Sequence, residues 1–111
     1  MTPQDSAPYA FDLETGTVSL SGSPVPLTPK DFELALFLFR QAHQTWSREA
    51  LLLNVWHTSA ALETRTVDAH VAHLRRALDL ASGRTGWRLV SLVTQGYRLE
   101  RIETADQGPL V

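Results

Sequence analysis

From Phe32 to Phe39 the chain reads FELALFLF, and Glu33 alone interrupts a run of apolar side chains. Wound into a helix, Phe32, Leu34, Ala35, Leu36, Phe37, Leu38 and Phe39 cover most of the circumference. A helix that is apolar on nearly every side is stable in water only when other elements surround it. The segment therefore predicts a central helix, and the rest of a 111-residue chain must supply its covering. Its start is legible in Thr28-Pro29-Lys30-Asp31. The Thr28 hydroxyl can accept from an early backbone N–H, Pro29 suits the first helical position, and Asp31 lies near the positive end of the dipole. The helix is expected to end before Gln44.

Two further helices follow. Ser47 is placed to cap one whose buried side is Leu51, Leu52, Val55 and Trp56. After the interruption HTSAALE at 57–63, Thr64 is placed to cap a third. There Val67, Val71, Leu74 and Leu78 follow the i, i+4, i+7, i+11 spacing of a buried stripe. That stripe leaves Arg65, Thr66, Ala69, Ala72, His73 and Arg76 facing outward.

Short strands flank the helices. Tyr9–Leu13, Thr17–Leu20 and Pro24–Leu27, separated by turn residues, predict an antiparallel meander with its proline-bearing piece at an edge. Two glycines in Ser82-Gly83-Arg84-Thr85-Gly86 close the helical region, and Trp87–Val93 with Gly96–Leu99 then predict a hairpin. The expected class is α+β in one domain over 9–100, with a frayed 1–8 and a loose tail at 101–111.

The composition narrows the function classes. With 43% hydrophobic and 20% charged residues, the chain has enough apolar surface to fold. It has no cysteine, which removes disulfides and thiolate metal sites. No stretch approaches the roughly 20 apolar residues of a bilayer crossing, and no basic start leads into an apolar run. No membrane association is expected, and a cytoplasmic protein is the default. The sequence shows no nucleophile turn, glycine-rich phosphate loop or metal motif, so an enzyme is not expected.

Charge is unevenly distributed. The whole chain is formally −2, yet residues 65–98 hold Arg65, Arg75, Arg76, Arg84, Arg88 and Arg98 against Asp68 and Asp79 only, a local +4. Residues 1–64 carry −4. A concentrated positive segment attracts a polyanion despite an acidic whole.

LTPKDFELALFLF at 27–39, SREALLLNVW at 47–56, RTVDAHVAHLRRAL at 65–78 and LVTQGYRLE at 92–100 together resemble the winged-helix effector domain of the OmpR/PhoB family of bacterial response regulators. The resemblance spans about residues 9 to 100 and covers the effector domain alone. It implies a winged helix-turn-helix: an N-terminal antiparallel sheet, a three-helix core and a C-terminal β-hairpin wing. It further implies double-stranded DNA binding, with the third helix in the major groove and the wing near the minor groove. Arg65 and Thr66 would meet phosphates at the helix start, Ala69, His70 and His73 would sit nearest base edges or phosphates, and Arg75 and Arg76 would flank the backbone. On the wing, Arg88, Thr94, Gln95 and Tyr97 complete the expected DNA-binding set. RNA polymerase is an implied partner of the 57–63 loop. With few phosphate contacts available, a homodimer on repeated half-sites is the expected route to affinity.

The chain departs from the pattern of the family it resembles, in the third helix and the wing, in ways that keep an alternative open. His73 stands where an arginine is common, Ala72 where a basic or polar residue is, and Val93-Thr94-Gln95 replaces a basic wing turn. The alternative is a winged-helix protein-interaction module with weakened or lost DNA binding. Ala69 and Ala72 offer a thymine methyl an apolar contact and no hydrogen bond. His70 and His73, three apart, have no third ligand at a persuasive spacing, so neither a metal nor a cofactor is expected. Near phosphate, either imidazole gaining a proton would strengthen binding as pH falls. Asp68 is expected to complement the helix dipole and pair with Arg65 or Arg75. Trp46 and Trp56 bracket an amphipathic helix and suit core or rim, whereas Trp87, beside Arg88, is the tryptophan expected to meet a partner.

Overall fold

A computed structural model describes residues 6–57 and 64–102. In chain order the elements are β1 (Tyr9–Asp12), β2 (Thr17–Leu20), β3 (Ser23–Val25), α1 (Pro29–Arg40), β4 (Thr45–Trp46), α2 (Arg48–Val55), α3 (Arg65–Ala77), β5 (Trp87–Leu92) and β6 (Gly96–Arg101). β1, β2 and β3 form an antiparallel meander, with Tyr9 opposite Leu20 and Val18 opposite Val25. Pro24 lies on its edge strand, where a missing donor costs least. That strand begins at Ser23 and stops at Val25, short of the expected Leu27.

The second sheet has the order β4-β6-β5, and its first strand was not visible in the sequence. β4 is only Thr45 and Trp46, too short to show alternation, and it pairs with Arg98 and Tyr97. Gly96 makes that pairing feasible. Its φ is +126°, and a Cβ there would lie 2.0 Å from the Trp46 carbonyl oxygen. β6 runs on to Arg101, opposite Trp87, past the expected end at Leu99.

α1 and α2 start as their caps predict. Thr28 Oγ accepts from the Asp31 amide at 3.1 Å, and Ser47 Oγ accepts from the Ala50 amide at 3.0 Å. α3 does not: Thr64 is itself helical and its side chain makes no cap bond.

The core joins all three layers. Leu34, Ala35 and Leu38 of α1, Leu51 and Leu52 of α2, and Val67, Val71 and Leu74 of α3 are buried together with Leu89 and Leu99 of the hairpin. Phe39 is the junction, its ring 5.1 Å from Tyr9, 5.2 Å from Phe11 and 4.9 Å from Trp87. Each such aromatic pair contributes about 1 kcal/mol beyond burial. Tyr9 also donates its hydroxyl hydrogen to the Leu78 carbonyl, tying the first sheet to the end of α3. Residues 6–8 belong to this packing: Ser6 is buried and bonds to the Tyr9 carbonyl, and the Ala7 carbonyl accepts from Trp87 Nε1 at 2.9 Å. The expected loose tail lies outside the described residues beyond Ile102.

Candidate nucleic-acid interface

α3 has two faces with different fates. Val67, Val71 and Leu74 are fully buried, as the spacing predicts, and Leu78 follows at the helix end. Arg65, Ala69 and Arg76 are exposed, while Thr66, Ala72, His73 and Arg75 are half-buried. The stripe buries one side against α1 and α2 and so turns the arginine-bearing side outward.

Five of the expected contact residues bond within the protein itself, His73 to Asp31 and four others as follows. Arg75 Nε donates to the Leu89 carbonyl at 2.9 Å, and its Nη2 donates to Ser91 Oγ at 2.6 Å. It thereby pins the hairpin to α3. Tyr97 is buried, and its hydroxyl donates to Asp68. Arg88 lies on β5 opposite Glu100, whose carboxylate it meets at 3.6 Å. His70 is 28% exposed, stands edge-on to Trp56 at 5.1 Å, and gives its Nδ1 hydrogen to Asp31.

Trp87 also differs from expectation. It is buried against Phe39, with its Nε1 on the Ala7 carbonyl and the Arg101 guanidinium over its ring at 5.8 Å. Its place opposite Arg101 on an inward-facing strand position makes it core. Trp46 and Trp56 are half-buried, as a rim position requires.

Two carboxylates organise α3. Asp68 accepts from Arg48 Nε at 2.6 Å and from the Tyr97 hydroxyl, partners on α2 and β6. Arg48 and Arg75 both place their guanidinium groups over the Tyr97 ring, at 5.2 and 5.7 Å. Burial pushes the Asp68 carboxyl upward, but the hydrogen bonds from Tyr97 and Arg48 outweigh it and hold the carboxyl below its ordinary value. Tyr97 moves the other way, raised by burial and then by the adjacent carboxylate.

Asp31 is the second. Its side chain is 3% exposed, and it accepts from Nδ1 of His70 through one oxygen and from Nδ1 of His73 through the other at 2.6 Å. Here too burial pushes the carboxyl up, and the two imidazole hydrogen bonds outweigh it and bring it below the ordinary value. The sequence offered only a dipole role for Asp31. The imidazoles lie 39 and 42 residues away, a separation no local pattern spans.

At the wing tip Val93, Thr94 and Gln95 are exposed, with the Gln95 amide closing the turn on the Leu92 carbonyl at 2.9 Å. Thr94 takes a φ of +66° there. The interruption expected to touch RNA polymerase lies outside the described residues except for His57, which is exposed. Among the described residues no cluster of histidine and acidic side chains is arranged to hold a metal. No helix among them is long and apolar enough to cross a membrane.

A three-helix core with one half-buried helix, backed by a meander and clamped to a hairpin, defines the winged-helix class of α+β domains. Residues 22–99 match the family described as "Transcriptional regulatory protein, C terminal", and the chain belongs to that family of OmpR/PhoB-type DNA-binding domains. It is not an enzyme class. Among its relatives is the transcriptional regulatory protein ResD of Bacillus subtilis, 35% identical over 91 residues that cover 82% of this chain and 38% of ResD. The chain thus spans less than half the length of the curated relatives it matches. The DNA-binding domain of Klebsiella pneumoniae RstA, solved in complex with the RstA box, superposes with a TM-score of 0.71 at 27% identity, covering 83% of this chain and 90% of that one. The DNA-binding domain of CpxR from E. coli shares the fold, with a TM-score of 0.77 at 24% identity over 93% of this chain and 99% of that one.

Proposed function

We propose that the chain serves as the output domain of a bacterial transcriptional regulator and binds double-stranded DNA with α3 in the major groove. The observation that carries this reading is the division of α3: one face wholly buried, the other presenting Arg65, Thr66, Ala69, His73 and Arg76, with the hairpin fixed beside it by Arg75. Arg65 and Thr66 sit in the first turn, where helix-terminal N–H groups favour phosphate. Thr94 and Gln95 at the wing tip approach the neighbouring minor groove. The RstA complex supports the same use of this fold. Repeated half-sites bound by two copies raise the affinity of so small a phosphate footprint. The loop at 57–63 is the place for an RNA polymerase contact, and the cytoplasm is where such a domain works.

The protein-contact alternative calls for an apolar patch. Among the described residues the exposed large hydrophobics are Leu53 and Val93, on α2 and the wing turn, two different elements. Selection of duplex sites from a random pool at physiological salt tests the proposal, with enrichment of a common motif as the expected result. Arg65→Ala with Arg76→Ala should lower affinity for that motif and flatten its salt dependence. Unchanged binding by the folded double variant, or no enrichment, refutes it.

A further inference from the structure

The Asp31 cluster does more than fasten α3 to α1. An ionised carboxylate only accepts hydrogen bonds, so Nδ1 of both His70 and His73 must carry a hydrogen. In a neutral imidazole one nitrogen donates and the other accepts, so Nε2 is then a bare acceptor. When the ring takes a second proton, Nε2 becomes a donor and the ring a cation. Of the two rings His73 is the accessible one, its side chain 43% exposed, while His70 is 28% exposed and edge-on to Trp56. Both rings line a shallow pocket of about 230 Å³ with Thr28, Asp31 and Ala69, on the proposed DNA face of α3.

We propose that Asp31 is a positioning residue that sets the hydrogen-bonding sense of His73 toward DNA: Nε2 accepts when the ring is neutral and donates when the ring is protonated. The inference rests on the reading of α3 as the major-groove helix. A neutral His73 suits the amino group of adenine or cytosine, and a protonated one suits guanine N7 or O6 or a phosphate oxygen. His73 is therefore a proton-dependent reader in a helix whose two central alanines cannot hydrogen-bond.

Among the described residues, few charges surround the rings. On α1, Asp31 is the acid in contact with the rings, while Lys30 Nζ is turned to Glu33 at 2.9 Å and to the Val55 carbonyl at 3.1 Å. At the end of α2 the neighbour is the uncharged Trp56, followed by exposed His57. On α3 the next charge is Arg76, exposed one turn on.

Two measurements on the 111-residue chain decide the matter. Long-range nitrogen–proton correlation spectra at pH 8 should show His70 and His73 with the hydrogen on Nδ1, and a His73 hydrogen on Nε2 overturns the proposal. Binding to a duplex selected at pH 5.5, followed by fluorescence anisotropy at constant ionic strength, should tighten about five- to tenfold from pH 8 to pH 5.5, the difference between a neutral and a charge-assisted hydrogen bond. His73→Asn, shown folded by circular dichroism, should lose that gain, and Asp31→Asn, which no longer requires the hydrogen on Nδ1, should change its size. Should Asp31→Asn fail to fold, the wild-type spectrum and the His73→Asn profile still decide. A full pH response in His73→Asn, or none in the wild type, overturns the proposal. Absence of binding to any duplex at every pH overturns the DNA-binding reading beneath it.

Discussion

α3 is held at two places by the same device, a carboxylate receiving two donors, and the donors differ. Asp68 meets Arg48 and the Tyr97 hydroxyl, groups whose charge state does not change near neutral pH. Asp31 meets two imidazoles, the side chain that changes charge between about pH 5 and 8. The first cluster faces the wing and behaves as a fixed joint. The second is built from imidazoles on the half-exposed side of α3. Similar geometry at two places on one helix thus gathers donors of fixed charge in the first turn and imidazoles in the middle.

The largest expected effects fall on the fixed joint. Gly96→Ala drives a methyl group into the Trp46 carbonyl at a φ that L residues rarely adopt, so loss of about 3 kcal/mol or more is expected in chemical denaturation. Tyr97→Ala empties a buried aromatic site touched by two guanidinium groups and should cost about 3 kcal/mol, whereas Tyr97→Phe, which removes only the bond to Asp68, should cost about 1 kcal/mol. If Tyr97→Phe proves as damaging as Tyr97→Ala, the joint is polar and not packed.

Acid titration compares the clusters directly. Asp31 and Asp68 both lie below 3.8 in the folded chain, so each contributes stability that is complete above 3.8 and fades as pH falls through the folded value. Asp31→Asn and Asp68→Asn should each flatten the decline of thermal midpoint below pH 4. The smallest effect belongs to the open face. Arg76→Ala should leave the midpoint within about 0.5 kcal/mol of the parent's stability and reduce the log-salt slope of duplex binding by about 0.9.

Much of the architecture was legible along the chain. Thr28 and Ser47 act as caps because an N-cap bond spans three residues, and the Val67, Val71, Leu74, Leu78 stripe is buried because helical periodicity is equally local. β4 was not legible, because two residues carry no alternation and their pairing partner lies more than 50 residues on. Thr64 has the right chemistry for a cap and the wrong backbone, being already helical. The candidate site was legible in outline only. Arg65, Thr66, Ala69, His73 and Arg76 stay at the surface, half or fully exposed; His73 is at the same time bound to Asp31, and Arg75, Arg88, Tyr97 and His70 are also engaged within the protein. Trp87 beside an arginine looked like a contact and is core, since adjacent strand residues face opposite ways.

By itself the sequence determined that three helices and a hairpin would form around FELALFLF, and which side of α3 would be buried. Caps, periodicity and turn residues act over a few positions, so their consequences are written where they occur. Only the tertiary structure decided that Asp31 would gather His70 and His73, and that Asp68 would gather Arg48 and Tyr97. Those unions depend on how helices and sheet stack, and a buried carboxylate takes whichever donors the packing brings within reach.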